Sequence, residues 1–168
     1  MSGGLGTTSS ANVGAYSLTD TSQGTLILAN GPSGANQGLA SNYTLTGGTQ
    51  DYTITQRVLS SSGSKAYDAN TNALAADITL SNLVSGETLN HSGTASISSA
   101  NAASYTITNL AGITLADNAG LASNYTLTGG THNFTVNPKV ISLSGSRLYD
   151  ATTDAVASDL TTISGLVG

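Results

Sequence analysis

Gly38-Leu39-Ala40-Ser41-Asn42-Tyr43-Thr44-Leu45-Thr46-Gly47-Gly48-Thr49 returns letter for letter at Gly120 to Thr131, 82 residues further on. The 168-residue chain is therefore a tandem array, and its fold is the fold of one unit of about 82 residues. Downstream the shift is unchanged: Val58, Gly63, Ser64, Tyr67, Asp68, Ala69, Thr71 and Asp77 recur as Val140, Gly145, Ser146, Tyr149, Asp150, Ala151, Thr153 and Asp159. Upstream, Ser10-Ala11-Asn12 matches Ser99-Ala100-Asn101 at a shift of 89, with the extra residues in the Gly/Pro loop Asn30-Gly31-Pro32-Ser33-Gly34-Ala35-Asn36.

Two phases of the repeat fit. In the favoured one, Ser2-Gly3-Gly4-Leu5-Gly6 takes the place of His91-Ser92-Gly93-Thr94-Ala95, giving modules 1–91 and 92–168. The alternative cuts at the Pro138-Lys139 boundary and leaves a partial unit 1–56, a whole unit 57–138 and a partial unit 139–168. Unpaired half-modules would expose strand edges and apolar faces, which is why the first phase is favoured.

Cysteine is absent, charged residues make up 8% of the chain, Gly is frequent and the net charge is -5. That composition points to an exported β protein instead of a cytosolic enzyme. A unit of this size buries only about 60% of its unfolded surface, so docking between neighbours is expected. Four scattered basic residues make no phosphate-tracking surface, and nucleic acid is not an expected partner. No run reaches the ~18 apolar residues of a membrane span, and Met1-Ser2-Gly3-Gly4 lacks the parts of a signal peptide. The expectation is a fragment of a longer exported protein.

Period-two alternation of apolar residues with Thr predicts strands at Asn42 to Thr46, Tyr52 to Thr55, Ser104 to Thr108 and Asn133 to Val136. Further strands are predicted at Gly24 to Leu28, Arg57 to Ser61, Ile78 to Leu83, Gly112 to Leu115, Val140 to Leu143 and Leu160 to Ile163, with a short helical turn within Ala69 to Asp77. Gly47-Gly48 and Gly129-Gly130 suggest hairpins from Tyr43 to Thr55 and from Tyr125 to Val136. The fold class is all-β: tandem small antiparallel β-sandwich or β-grasp-like modules in an elongated array.

Arg57 corresponds to Lys139 and Lys65 to Arg147, so every positive charge falls at one of two repeat-equivalent sites. A surface cation beside Asp68 or Asp150 accounts for the second site. A Lys to Asn isopeptide crosslink is the sharper reading, but Arg at the equivalent positions cannot form one. Lys65-Ala66-Tyr67-Asp68-Ala69 and Arg147-Leu148-Tyr149-Asp150-Ala151, with Asn12-Val13-Gly14 and the junction Val136-Asn137-Pro138-Lys139, resemble the YDG repeat family of bacterial haemagglutinin-like and filamentous surface adhesins. Ala69 and Ala151 stand where that family usually has Gly, implying a turn residue without positive φ. The resemblance implies a spacer or stalk module of a large exported adhesin at the bacterial cell surface, without an enzymatic role.

Tyr67, Asp68, Tyr149 and Asp150, with Lys65 and Arg147, are the structural motif. The Tyr ring is expected on the core with its hydroxyl on a backbone carbonyl, and the Asp is expected to close an Asx-turn. Asp68, Asn70, Asn72 and Asp77 form a possible oxygen-ligand cation loop, but the loop lacks the bidentate Glu and turn Gly of calcium sites. His91 and His132 are far apart in the repeat register, and no Gly-x-Ser-x-Gly elbow is present, so neither catalysis nor a cofactor is expected. The expected partners are neighbouring repeats of the same chain, and other copies or host and cell-surface ligands through the parent protein. Besides the mechanical spacer, two alternatives follow from the residues: a glycan- or ice-binding module using Thr faces such as Thr44 with Thr46, and self-association through edge strands.

Overall fold

In the computed structural model the structure describes residues 1, 3–18, 23–34, 37–107 and 109–167. Ser2, the Ala35-Asn36 part of the length-variable loop and the Thr108 end of a predicted strand lie outside them. The chain divides into two compact units, Met1–Arg57 and Val58–Gly168. Residues 91 and 92, the junction of the favoured phase, lie inside a strand that is bonded on both sides.

In the first unit, β1 (Gly14–Leu18) pairs antiparallel with β2 (Gln50–Ile54), placing Tyr16 opposite Tyr52. The predicted strand at Gly24 to Leu28 is reduced to one bridge, Gly3 to Ile27. Asn42 to Thr46 is not a strand: it follows a 3-10 turn at Ala40–Asn42 and leads into a tight turn closed by Gly48 N–H on Leu45 C=O, 3.2 Å.

The second unit opens with β3 (Arg57–Val58) at the junction, then β4 (Ser60–Ala66), β5 (Asn72–Leu74), a 3-10 turn (Ala75–Asp77), β6 (Ile78–Ser81) and β7 (Asn90–Ser96). It continues with β8 (Ala103–Thr106), β9 (Ile113–Ala116), β10 (Tyr125–Thr126), β11 (His132–Asn137), β12 (Ser142–Ser144) and β13 (Thr162–Ser164). A four-stranded sheet has the order β6-β4-β11-β8, and a three-stranded sheet has the order β5-β7-β9. Their facing side chains, among them Ala73, Ala95 and Ile113 from one sheet and Ile78, Phe134 and Val136 from the other, form one core. Phe134, Leu59 and Val136 are the largest fully buried side chains, each contributing roughly 1.5–3 kcal/mol. The all-β class holds, in the form of a two-sheet packing.

The antiparallel expectation needs correction at the centre. β4 and β11 run parallel, with His132 opposite Ser61 and Asn137 opposite Ala66. The predicted hairpins do not form, because the double glycines make a different turn. Gly129 has φ +86 and Gly47 has φ +79, while Thr128 and Thr46 do not have positive φ. A two-residue hairpin of type I′ needs positive φ at both central positions; one at the third position is the type II pattern, which splays the flanking strands. The chain is thus carried from β10 into β11, whose neighbours are β4 and β8.

Candidate functional site

The repeated Lys/Arg-x-Tyr-Asp-Ala motif leaves the end of β4 and makes a loop around its own cation. Lys65 Nζ lies 2.9 Å from Asp68 Oδ1 and donates to Asn70 Oδ1 at 2.8 Å, Asn70 C=O at 2.9 Å and Asn72 C=O at 2.7 Å. Its side chain is only 8% exposed. Asp68 accepts from Asn70 N–H at 3.1 Å, the Asx-turn that a Tyr-Asp pair favours, and Asn70 in turn caps Asn72 N–H at 2.9 Å. Lys65 holds the Asp68 carboxyl below its ordinary value, aided by the Asn70 N–H and opposed by desolvation.

Of the four oxygen donors read as a cation loop, Asp68, Asn70 and Asn72 therefore converge on an ammonium, and Asp77 lines the same small hollow. A metal ion would have to displace Lys65. Among the described residues no group of three or more His, Cys, Asp or Glu side chains gathers as a metal site. The contact between Lys65 and Asn70 also bears on crosslinking. An isopeptide bond requires a neutral amine and a carboxyl able to give up a proton. Here Lys65 lowers the Asp68 carboxyl, which favours its anion, and the amine hydrogens are shared among oxygens of Asp68, Asn70 and Asn72.

Arg147 repeats the arrangement with other atoms. Its guanidinium bonds Asp150 and reaches Thr152 Oγ1 at 2.7 Å, and Asp150 accepts from Thr152 N–H at 3.0 Å. Asp150 is lowered chiefly by that backbone N–H, then by the Thr152 hydroxyl and Arg147. Ala69 and Ala151 have φ of 61 and 60. This overturns the expectation that their lack of Gly relaxes the turn: both alanines are held in the left-handed region, at about 1–2 kcal/mol each.

The tyrosines divide the expected role. Tyr67 packs against the core, whereas its counterpart Tyr149 is 94% exposed. The hydroxyl-to-carbonyl bond belongs instead to Tyr16, on Asn12 C=O at 2.7 Å, and Tyr105, on Asn101 C=O at 2.6 Å. Both follow Ser-Ala-Asn, whose Ser Oγ accepts the Asn N–H. The repeated Ser-Ala-Asn-x-x-x-Tyr spacing was the signal for this Tyr corner.

One pairing that sequence spacing does not reveal is Ser61 with His132, both buried, at 2.9 Å between Oγ and Nδ1. His132 Nε2 sits 2.8 Å from Leu127 C=O, so Nε2 carries the proton and Nδ1 accepts from Ser61. This looks like a nucleophile beside a base. The repeat decides its role: at the equivalent position Gln50 donates through Nε2 to Leu45 C=O, 3.2 Å, and Gln is no base. His91 likewise donates to Ala75 and Ile78 carbonyls, pinning the 3-10 turn. The cleft bordered by Tyr125, Leu127 and His132 is lined mostly by apolar side chains and backbone. No helix is long and apolar enough to cross a membrane, among the described residues.

No curated protein and no solved structure matches the chain. Residues 55–133 match the family described as the YDG domain, a span that runs from β3 into β11 and takes in Lys65, Tyr67 and Asp68.

Proposed function

We infer that the chain is a non-catalytic spacer segment of a large exported bacterial surface adhesin, its repeats holding a distal binding domain away from the cell. The observation that carries this reading is the parallel β4–β11 seam. Because the two strands point the same way, the chain enters the unit at the Leu59 end of the seam and leaves at the Asn137 end. The six paired positions separate those ends by on the order of 20 Å. Each unit therefore adds length, and tension on the chain loads the whole ladder in shear, so its bonds must fail together.

The motif chemistry supports the same role. Lys65 and Arg147 are both committed to closing their own loops, and the histidines hold backbone carbonyls. Two tests address the reading. Scattering from chains of two, four and six units should give a maximum dimension that rises in proportion to unit number; a compact globule would remove the spacer role. Single-molecule pulling along the seam, through residues 58 and 137, should need more force than pulling through residues 66 and 137, which peels the seam from one end. Equal forces in the two geometries would remove the load-bearing argument.

A further inference from the structure

His132 is a buried base that the spacer role does not use. It is 4% exposed, as is Ser61, and it stands at the first position of β11, where the parallel seam begins. Both ring nitrogens are engaged: Nε2–H donates to Leu127 C=O at 2.8 Å, and Nδ1 accepts from Ser61 Oγ at 2.9 Å. The main chain is tied at the same point, with Ile107 N–H on His132 C=O at 2.8 Å and Ser61 N–H on Thr131 C=O at 2.9 Å. One imidazole thus fastens the turn that follows Leu127 to β11, and β11 to β4.

This arrangement holds one ring proton and has no place for a second. A proton on Nδ1 turns that nitrogen into a donor facing the Ser61 hydroxyl, which would have to rotate away from the acceptor it now has. The new charge would also lack a counter-ion. The charged groups on the neighbouring strands, Arg57 on β3 and Lys65 four positions along the seam on β4, are cations. From β8 comes Tyr105, opposite Phe134, and from β10 comes Tyr125, whose hydroxyl is held by Glu87. Beyond β9, Asp117 accepts the Ala122 N–H, and on β7 His91 is turned to the Ala75 and Ile78 carbonyls. Among the described residues lining the cleft beside His132, none is a carboxylate. A buried charge in such a place is costly.

The first unit shows another solution at the equivalent position. Gln50 donates through Nε2 to Leu45 C=O at 3.2 Å, and its Oε1 accepts from Gln23 at 2.6 Å. A carboxamide offers the same donor and acceptor as a neutral imidazole, and it does not titrate.

We propose that His132 is an acid-sensitive fastener of the second unit. Taking up a proton drives the ring out to water and opens the Leu59 end of the β4–β11 seam, whereas the Gln50 copy is indifferent to acid. The sign follows from linkage. In an opened or unfolded chain the ring is in water, where histidine titrates at about 6.5. Stability that rests on the neutral ring is complete above that value and is lost as pH falls below it, because the open form takes up the proton first. Asp68 and Asp150 act below 3.8, outside this window. The fastener concerns the closure of one unit and stands whether or not the array is a spacer.

The test uses the full chain, with the ring resonances of Phe134, its only phenylalanine, reporting the closed core. Between about pH 7.5 and about pH 5, the folding equilibrium read at Phe134 in urea should weaken by up to about thirtyfold. His132→Gln should remove most of that fall. His91→Gln should leave it in place, since the His91 ring only donates to carbonyls and a second proton would not disturb it. In the unaltered chain, hydrogen exchange corrected for intrinsic rate should quicken over this range at the Ser61 and Ile107 amides before the Tyr67 amide, which bonds Asn137 at the far end of the seam. If His132→Gln does not fold, the exchange result decides alone. An equilibrium flat across this range, an equal fall in His132→Gln, a fall abolished by His91→Gln, or amides released evenly from both ends of the seam would each overturn the proposal. Scattering from multi-unit chains reads the spacer role separately, so either idea can fail alone.

Discussion

The same twelve residues occur twice in this protein, and the copies agree in conformation while differing in burial. Each begins with a 3-10 turn, at Ala40–Asn42 and Ala122–Asn124. Each has a Thr hydroxyl accepting the N–H two residues on, at 3.1 Å in both, and each ends in a turn with its first Gly at positive φ. Yet Tyr125 is 3% exposed and Tyr43 is 66% exposed. Local hydrogen bonding is set by the peptide itself; burial is set by its neighbours. Leu59 and Leu89 pack beside Tyr125, Glu87 accepts its hydroxyl proton and Val84 N–H donates to its oxygen at 3.2 Å.

The comparison breaks most visibly at the core aromatic. Phe134→Ala should cost about 3–5 kcal/mol, while Tyr52→Ala at the equivalent position should stay within about 0.5 kcal/mol in dilute solution, both read from urea midpoints. If the two costs are similar, the exposed and buried copies are not distinct.

Next in size, Tyr125→Phe leaves the Glu87 carboxylate and Val84 N–H without their shared hydroxyl and should cost about 1–3 kcal/mol. Tyr43→Phe should be silent by the same denaturant measurement. A smaller effect is expected for Lys65→Met, about 1 kcal/mol, since the ammonium is enclosed but its partners remain near water. Calcium should leave the thermal midpoint of the unaltered protein unchanged, because Lys65 already holds the oxygens; a calcium-dependent rise would restore the cation-loop reading.

The loop also carries a pH signature. Asp68 and Asp150 are lowered in the folded state, so as pH falls below the ordinary value of 3.8 the unfolded chain takes up protons first. The stabilisation they contribute is complete above that value and disappears as pH passes down through their folded values. Asp68→Asn should flatten this part of the acid-unfolding curve. The smallest predicted change is a gain: Ala69→Gly relieves a left-handed alanine and should add about 0.5–1 kcal/mol, net of the looser unfolded chain. A loss there would mean that the alanine methyl makes a contact worth more than its strain.

How far the sequence could be read follows from what each signal encodes. Alternation marked β2, β8 and β11 as strands, since inward and outward residues differ chemically along each, but the same alternation at Asn42 to Thr46 made no strand. It could not name their partners, because a period of two is the same whichever strand lies alongside. The parallel seam joins residues about seventy positions apart, beyond the reach of any local pattern. Gly129-Gly130 resembled a hairpin turn because glycine permits several turn types, and only the φ of Thr128 separates them. The Lys65 and Arg147 positions were visible from the repeat; that the cation fills its own oxygen ring was not, as spacing shows donors without their orientation. Gln50 standing for His132 was present in the register, and would have assigned that histidine its structural bond.

The strand that completes the larger sheet is also nearly the last of its unit to be made. β11 lies between β4 and β8, so neither of the sheet's two earlier portions can join until residues 132–137 arrive. Non-local closure of this kind is slow, and a chain emerging in order, from a ribosome or through a pore, stays short of its final architecture until that segment clears. Until then the unit is a pliable thread, and it stiffens only when its closing strand is in place.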